Sequence, residues 1–300
     1  MKAFIRYLIS SNIGEVACIF LVAALGFPEA MVPVQLLWVN LVTDGLPATA
    51  LTMNPPDSNV MNCPPRPLSE AMVDAWLFTR YMLVGLYVGV ATVIGHGAWF
   101  IGGYHGEATP ISFHDLSHFE ACGHDGWPAG VGGANCEVFH SLRPRTVALS
   151  ILVTIEMLNA LNALSQNESL LCAPTRPHAH TPHPHMRVPT PPRGSPDVLS
   201  SLARAPRSTF PPWRNPWLLG AIALSMGQHL MILYVPFFHS VFGVAALTWD
   251  EWVLVLYVSV PVILLDEVLK LITRLRDPTR KGASVTSKAA LSIGHGEKAV

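Results

Sequence analysis

The chain has 300 residues, of which 50% are hydrophobic and 13% charged, and its mean hydropathy is +0.37. A soluble domain carries about 25% charge, so a large soluble core is excluded and the composition is that of a membrane protein. With 19 Lys+Arg against 20 Asp+Glu there is no basic surplus to neutralise phosphates, which excludes a nucleic-acid partner and leaves membrane lipids as the first surroundings.

A helix crosses about 30 Å of hydrocarbon with about 20 mostly apolar residues. In chain order the stretches that meet this are 4–27, 32–51, 76–101, 146–164, 217–235 and 252–272. The fold class expected is therefore an all-α membrane protein, a bundle of six transmembrane helices. Trp76, Trp99, Trp217 and Trp252 stand near the ends of these stretches, where interfacial anchors belong. The first stretch is too long for a signal peptide and carries Asn12 and Glu15 in its middle, so the chain reads as starting partway through a larger protein. The run from Pro28 to Pro33 leaves room only for a tight reversal, which makes the first two helices adjacent and antiparallel.

The connections differ in kind. Residues 102–145 form a glycine-rich, irregular loop whose His105, His114, His118, His124 and His140 match no zinc spacing and read as ordinary loop histidines. Residues 172–212 hold 11 of the 26 prolines and a histidine run from His178 to His185, with almost nothing to bury, so a disordered insertion is expected there. The division expected is helices one to four with their loop in 1–171, the insertion in 172–212, helices five and six in 213–275, and a polar, basic, disordered tail in 276–300.

Six crossings put both termini on one side. Of the 19 Lys+Arg only Arg143 and Arg145 fall on the other, so the termini and the loops around Arg66 and Arg193 are expected in the cytosol. Cys122 and Cys136 then lie in a lumenal loop where a disulfide can persist, two free thiols being the alternative. Cys18, Cys63 and Cys172 are expected reduced.

A carboxylate inside the bilayer costs about 2.5–3.5 kcal/mol on insertion scales, so each needs a partner or a cavity. The first helix carries Asn12 and Glu15 at i, i+3, the second Asn40, Thr43 and Asp44 at i, i+3, i+4, and the fourth Glu156 with Asn159 a turn on. These groups offer oxygen and neither thiolate nor imidazole, a hard ligand set that suits Ca²⁺. Gly45 and Pro47 weaken the second helix just after Asp44, and an opened helix can wrap an ion where it lines a cavity. Interhelical hydrogen bonding is the plainer reading of such polar residues, and it accounts poorly for three carboxylates on three helices. Asp266 and Glu267, a turn from Lys270, read as an interfacial helix-end pair, and His229 and Gln228 as interhelical hydrogen-bonders.

The run from Phe4 to Glu15, ending Ser10-Ser11-Asn12-Ile13-Gly14-Glu15, and the run from Pro33 to Leu51, with Trp38-Val39-Asn40-Leu41-Val42-Thr43-Asp44-Gly45-Leu46-Pro47 inside it, resemble the fifth and sixth transmembrane helices of the sarco/endoplasmic reticulum Ca²⁺-transporting P-type ATPases. Leu152-Val153-Thr154-Ile155-Glu156-Met157 and Pro261-Val262-Ile263-Leu264-Leu265-Asp266-Glu267 resemble the eighth and tenth. The resemblance covers about residues 1–171 and 211–275. It implies a translocase that pumps cytosolic Ca²⁺ into the lumen of that membrane with proton counter-transport. It further implies Asn12, Glu15, Thr43, Asp44 and Glu156 as ligands of one Ca²⁺, and Asn40 with the shared Asp44 at a second. Plasma-membrane calcium pumps lack the carboxylates of Glu15 and Glu156, and the sodium pump has Asp in place of Asn40. Cys122 and Cys136 match the family's lumenal disulfide pair, and the 52–75 loop, with Pro55-Pro56-Asp57, resembles the one that couples membrane to phosphorylation domain.

The departures are large. The Asp-Lys-Thr-Gly-Thr phosphorylation motif occurs nowhere in the sequence. Nor is there an actuator loop, a nucleotide-binding domain or the family's first four helices. Mg²⁺ and ATP are therefore expected to act only in a complete pump, and this chain alone is expected to be inactive. The partners implied are the missing N-terminal half and small single-span regulatory membrane peptides. The rival expectation is a non-catalytic truncated protein that associates with or competes against the full-length pump.

Overall fold

The structure is a computed structural model and describes residues 2–54, 75–104, 111–122, 136–164 and 215–276. The 172–212 insertion, the tail beyond residue 276, most of the 52–75 loop, and His105 and His124 lie outside the described residues. Among the described residues the chain is helical and holds no strand, as a bilayer that cannot hydrate open backbone requires. The elements are α1 (Lys2–Leu25), α2 (Pro33–Trp38), a π-helical turn (Val39–Thr43), α3 (Gly45–Thr52), α4 (Ala75–Ile101), α5 (Phe113–Ser117), α6 (Leu142–Asn162), α7 (Pro216–Tyr234), α8 (Pro236–Phe242), α9 (Trp249–Ser259) and α10 (Pro261–Arg276).

Among the described residues five helical runs are long and apolar enough to cross a membrane: Ala3–Leu25, Ala75–Ile101, Cys136–Asn162, Pro216–Tyr234 and Trp249–Thr273. The remaining expected span, 32–51, is present but is not one helix. It is divided into α2, the π-helical turn and α3. The last span is also divided, where Val260 closes α9 and Pro261 opens α10.

α6 is the pole of the bundle, buried along nearly its whole length, with α4, α9, α10 and α7 packed round it. Asn54 donates to the carbonyl of Leu164 at 2.9 Å and so joins the end of α3 to the end of α6. Asn215 does the same for α7, capping Leu218 N at 3.2 Å while donating to the Ala50 carbonyl at 3.1 Å. α1 lies along α4 at very short range because small residues meet there. A Cβ placed on Gly85 would stand 2.7 Å from Ile13 Cβ, and one on Gly89 2.7 Å from Ala17 Cβ and 2.8 Å from the Gly14 carbonyl oxygen. Without a hydrophobic drive between helices in lipid, such small-residue seams supply close packing.

At the other end of α1, Gly26 takes a left-handed conformation (φ +66°), and the chain turns beneath the short α5. Cys122 and Cys136 are joined in a disulfide that closes this irregular lobe. Two expectations change here. Trp99 is not an interfacial anchor: it is buried, and its indole donates to Glu251 at 2.7 Å. Asp266 is likewise more than half of a helix-end pair. It is fully buried and shared by Arg6 of α1, Arg80 of α4 at 2.7 Å and Lys270 at 3.1 Å, with Lys270 also 3.5 Å from Glu267. Neighbour spacing shows the Lys270 pairing and cannot show arginines arriving from two other helices.

Two stability predictions follow from this packing. Gly89→Val is expected to cost about 1–3 kcal/mol through overpacking against α1, whereas Gly220→Val, with no atom within 4 Å of a built Cβ, is expected to cost far less. Unfolding in mixed detergent micelles measures both, and equal midpoints would contradict the close seam. Asp266→Asn leaves three buried cations without their shared anion and is expected to cost about 3–5 kcal/mol by the same measurement.

Candidate functional site

The site begins with the break in the second span. Pro47 lies in the first turn of α3, where a missing N–H is tolerated, but its ring crowds the carbonyl four residues back, that of Thr43. The turn before it is accordingly π-helical: Asp44 N–H reaches back five residues to Val39 O at 2.8 Å. Pro47 has no N–H to offer Thr43 O, and the Ser225 hydroxyl of α7 donates to that oxygen instead, at 3.2 Å. The widened turn holds Asn40, Thr43 and Asp44.

Asp44 is fully buried. Tyr7 of α1 donates its phenol to Oδ1 at 2.8 Å, and the Ser11 hydroxyl stands against Oδ2. The same Ser11 hydroxyl stands against Oε1 of Glu156, which α6 buries completely. A hydroxyl has one proton to give, so the second of these contacts is a hydrogen bond only when the carboxyl brings the proton. Glu15, one turn beyond Ser11, accepts from Asn40 Nδ2 at 2.6 Å. Glu15 Oε1 and Glu156 Oε2 are buried without a hydrogen-bond partner. Among the described residues none of these three carboxylates pairs with a lysine or arginine. Asn159, a turn past Glu156, donates to Ser10 at 2.9 Å and fixes α6 against α1.

The sequence-derived set is thus brought together in two groups, Glu15 with Asn40, and Asp44 with Glu156 through Ser11. Among the described residues no three acidic, histidine or cysteine side chains close round a single metal position. Thr43 is buried at the break and borders both groups in the chain. Asn12 stands apart: its side chain is exposed, and its amide returns to Leu8 O of its own helix at 2.7 Å. The face of α1 that meets the acids is Tyr7, Ser11, Glu15, at steps of four. Tyr7 and Ser11 were not among the expected residues, although that i, i+4, i+8 polar ladder in an apolar helix is visible in the sequence.

A helical bundle that buries three carboxylates beside a broken span defines a multi-pass membrane protein built to hold something polar inside its helices. A family model for the cation transporting ATPase C-terminus matches residues 28–178 and 199–272. The chain belongs to that family, the membrane region of P-type cation-transporting ATPases. The match runs on both sides of the proline- and histidine-rich stretch and leaves 179–198 out.

Proposed function

We propose that the chain is the cation-binding C-terminal membrane half of a Ca²⁺-transporting P-type ATPase of the sarco/endoplasmic reticulum class. One observation carries this: α1, the broken span and α6 bury three carboxylates, Asp44 and Glu156 on the one Ser11 hydroxyl and Glu15 on the Asn40 amide, and among the described residues no lysine or arginine pairs with any of them. Ca²⁺ takes six to eight oxygen ligands in adaptable geometry at about 2.3–2.6 Å, and the widened turn gives the Asp44 segment freedom to close on it. Glu15, Asp44, Glu156 and Thr43 would supply side-chain oxygens to one ion. Asn12 joins them by releasing Leu8 O and rotating inward, and Asn40 serves a second ion with Asp44.

Cation entry and proton binding compete for the same oxygens. The Ser11 contact between Asp44 and Glu156 is a proton-holding arrangement, and an arriving Ca²⁺ displaces that proton, which is the exchange that counter-transport needs. The direction of pumping, from cytosol to reticulum lumen with both termini cytosolic, rests on the basic residues at one side. ATP and Mg²⁺ would act on domains not contained in these 300 residues, so the chain alone binds the cargo without driving it.

Equilibrium binding of ⁴⁵Ca²⁺ to the purified chain in lipid nanodiscs tests the reading. Saturable binding is expected, weakening as pH falls because protons occupy the carboxylates. Glu15→Gln and Asp44→Asn are each expected to lower affinity by at least about tenfold, the lower end of what losing even an outer-shell partner of a metal ligand costs. Binding unchanged in both variants would overturn the site. In sealed vesicles ATP is expected to produce no uptake by the chain alone, and ATP-driven uptake would contradict its inertness.

A further inference from the structure

We infer that Ser225 of α7 is a positioning residue of this cation site, acting on the broken span without touching the ion. The inference rests on the reading above. Pro47 takes from Thr43 the backbone donor that a helix would supply, and an orphaned carbonyl inside a membrane bundle must find another. The Ser225 hydroxyl, fully buried, is that donor at 3.2 Å. It holds the residue immediately before Asp44 from α7. From the α1 side Asp44 is held by Tyr7 and Ser11, so the π-helical turn is suspended between two helices.

One turn along α7 from Ser225, His229 is within 3.0 Å of Ser150 on α6, the helix that carries Glu156. α7 therefore grips both elements that supply the Ser11-bridged carboxylates. Its place in the chain is next to the proline-rich stretch, and nothing in its local sequence marks Ser225 as more than a small polar residue.

The test is a double-mutant cycle between positions 225 and 47, read by ⁴⁵Ca²⁺ binding to the full chain in nanodiscs. Ser225→Ala is expected to weaken Ca²⁺ binding about tenfold, the factor that an unmade hydrogen bond to a buried carbonyl carries. In a Pro47→Ala background residue 47 regains an N–H for Thr43, and the same Ser225→Ala change is expected to cost less than half as much on the logarithmic scale. A general loosening of α7 would cost the same in both backgrounds. Wild-type affinity in Ser225→Ala, or an equal cost in the two backgrounds, overturns the positioning role while leaving the ion site standing. A wild-type chain that binds no Ca²⁺ overturns the ion reading and this inference with it.

Discussion

A carboxylate placed in hydrocarbon costs about 2.5–3.5 kcal/mol on insertion scales, and this chain carries three of them, Glu15, Asp44 and Glu156, in its bundle without a basic partner among the described residues. Much of the architecture is the set of arrangements that make this tolerable. α6 is buried along nearly its whole length, so Glu156 never meets lipid. α1 turns a ladder of Tyr7, Ser11 and Glu15 toward the acids and gives its small and apolar residues to α4. The second span gives up regular helix at the level of Asp44, and α7 supplies the hydroxyl that the break requires.

The bundle treats its buried acids in two different ways. Toward the start of α1, Asp266 is surrounded by Arg6, Arg80 and Lys270, three cations from three helices. That cluster fixes helices, because removing Asp266 leaves three buried cations without their shared anion. Further along the same helix, about two and a half turns from Arg6, Glu15 has only the Asn40 amide, and one of its oxygens has no hydrogen-bond partner. The neutralised acid holds the frame, and the acids left to hydrogen bonds are the ones that the proposed function assigns to a cation. The disulfide between Cys122 and Cys136 closes the lobe at the opposite end of α1.

Much of this was legible in the sequence. The length and apolarity of the spans gave their positions to within a few residues, since a bilayer leaves helices little choice. Glu15, Asp44 and Glu156 stood out for the same reason, as charges where charge is costly. The weakness of the helix at Pro47 was visible too, but the form it takes was not: the break falls one turn earlier, where the proline ring crowds Thr43, and becomes a π-helical turn. Ser11 and Tyr7 were missed because hydroxyls are common in membrane helices, and only the partner helices give them a purpose. Asn12 was paired with Glu15 on i, i+3 spacing, whereas packing turns the i, i+4 face inward. The Asp266 cluster and the burial of Trp99 depend on contacts between residues far apart in the chain, which no local pattern carries.

The central claim, that Asp44 and Glu156 meet across Ser11 in order to hold Ca²⁺, is tested most directly by diffraction from crystals of the chain grown in lipid with Ca²⁺, using the anomalous signal of the ion. The account predicts a peak bounded by Glu15, Asp44 and Glu156, with carboxylate oxygens at about 2.3–2.6 Å and Ser11 no longer bridging the two acids. Saturating Ca²⁺ with the bridge intact and no peak between these helices would contradict it.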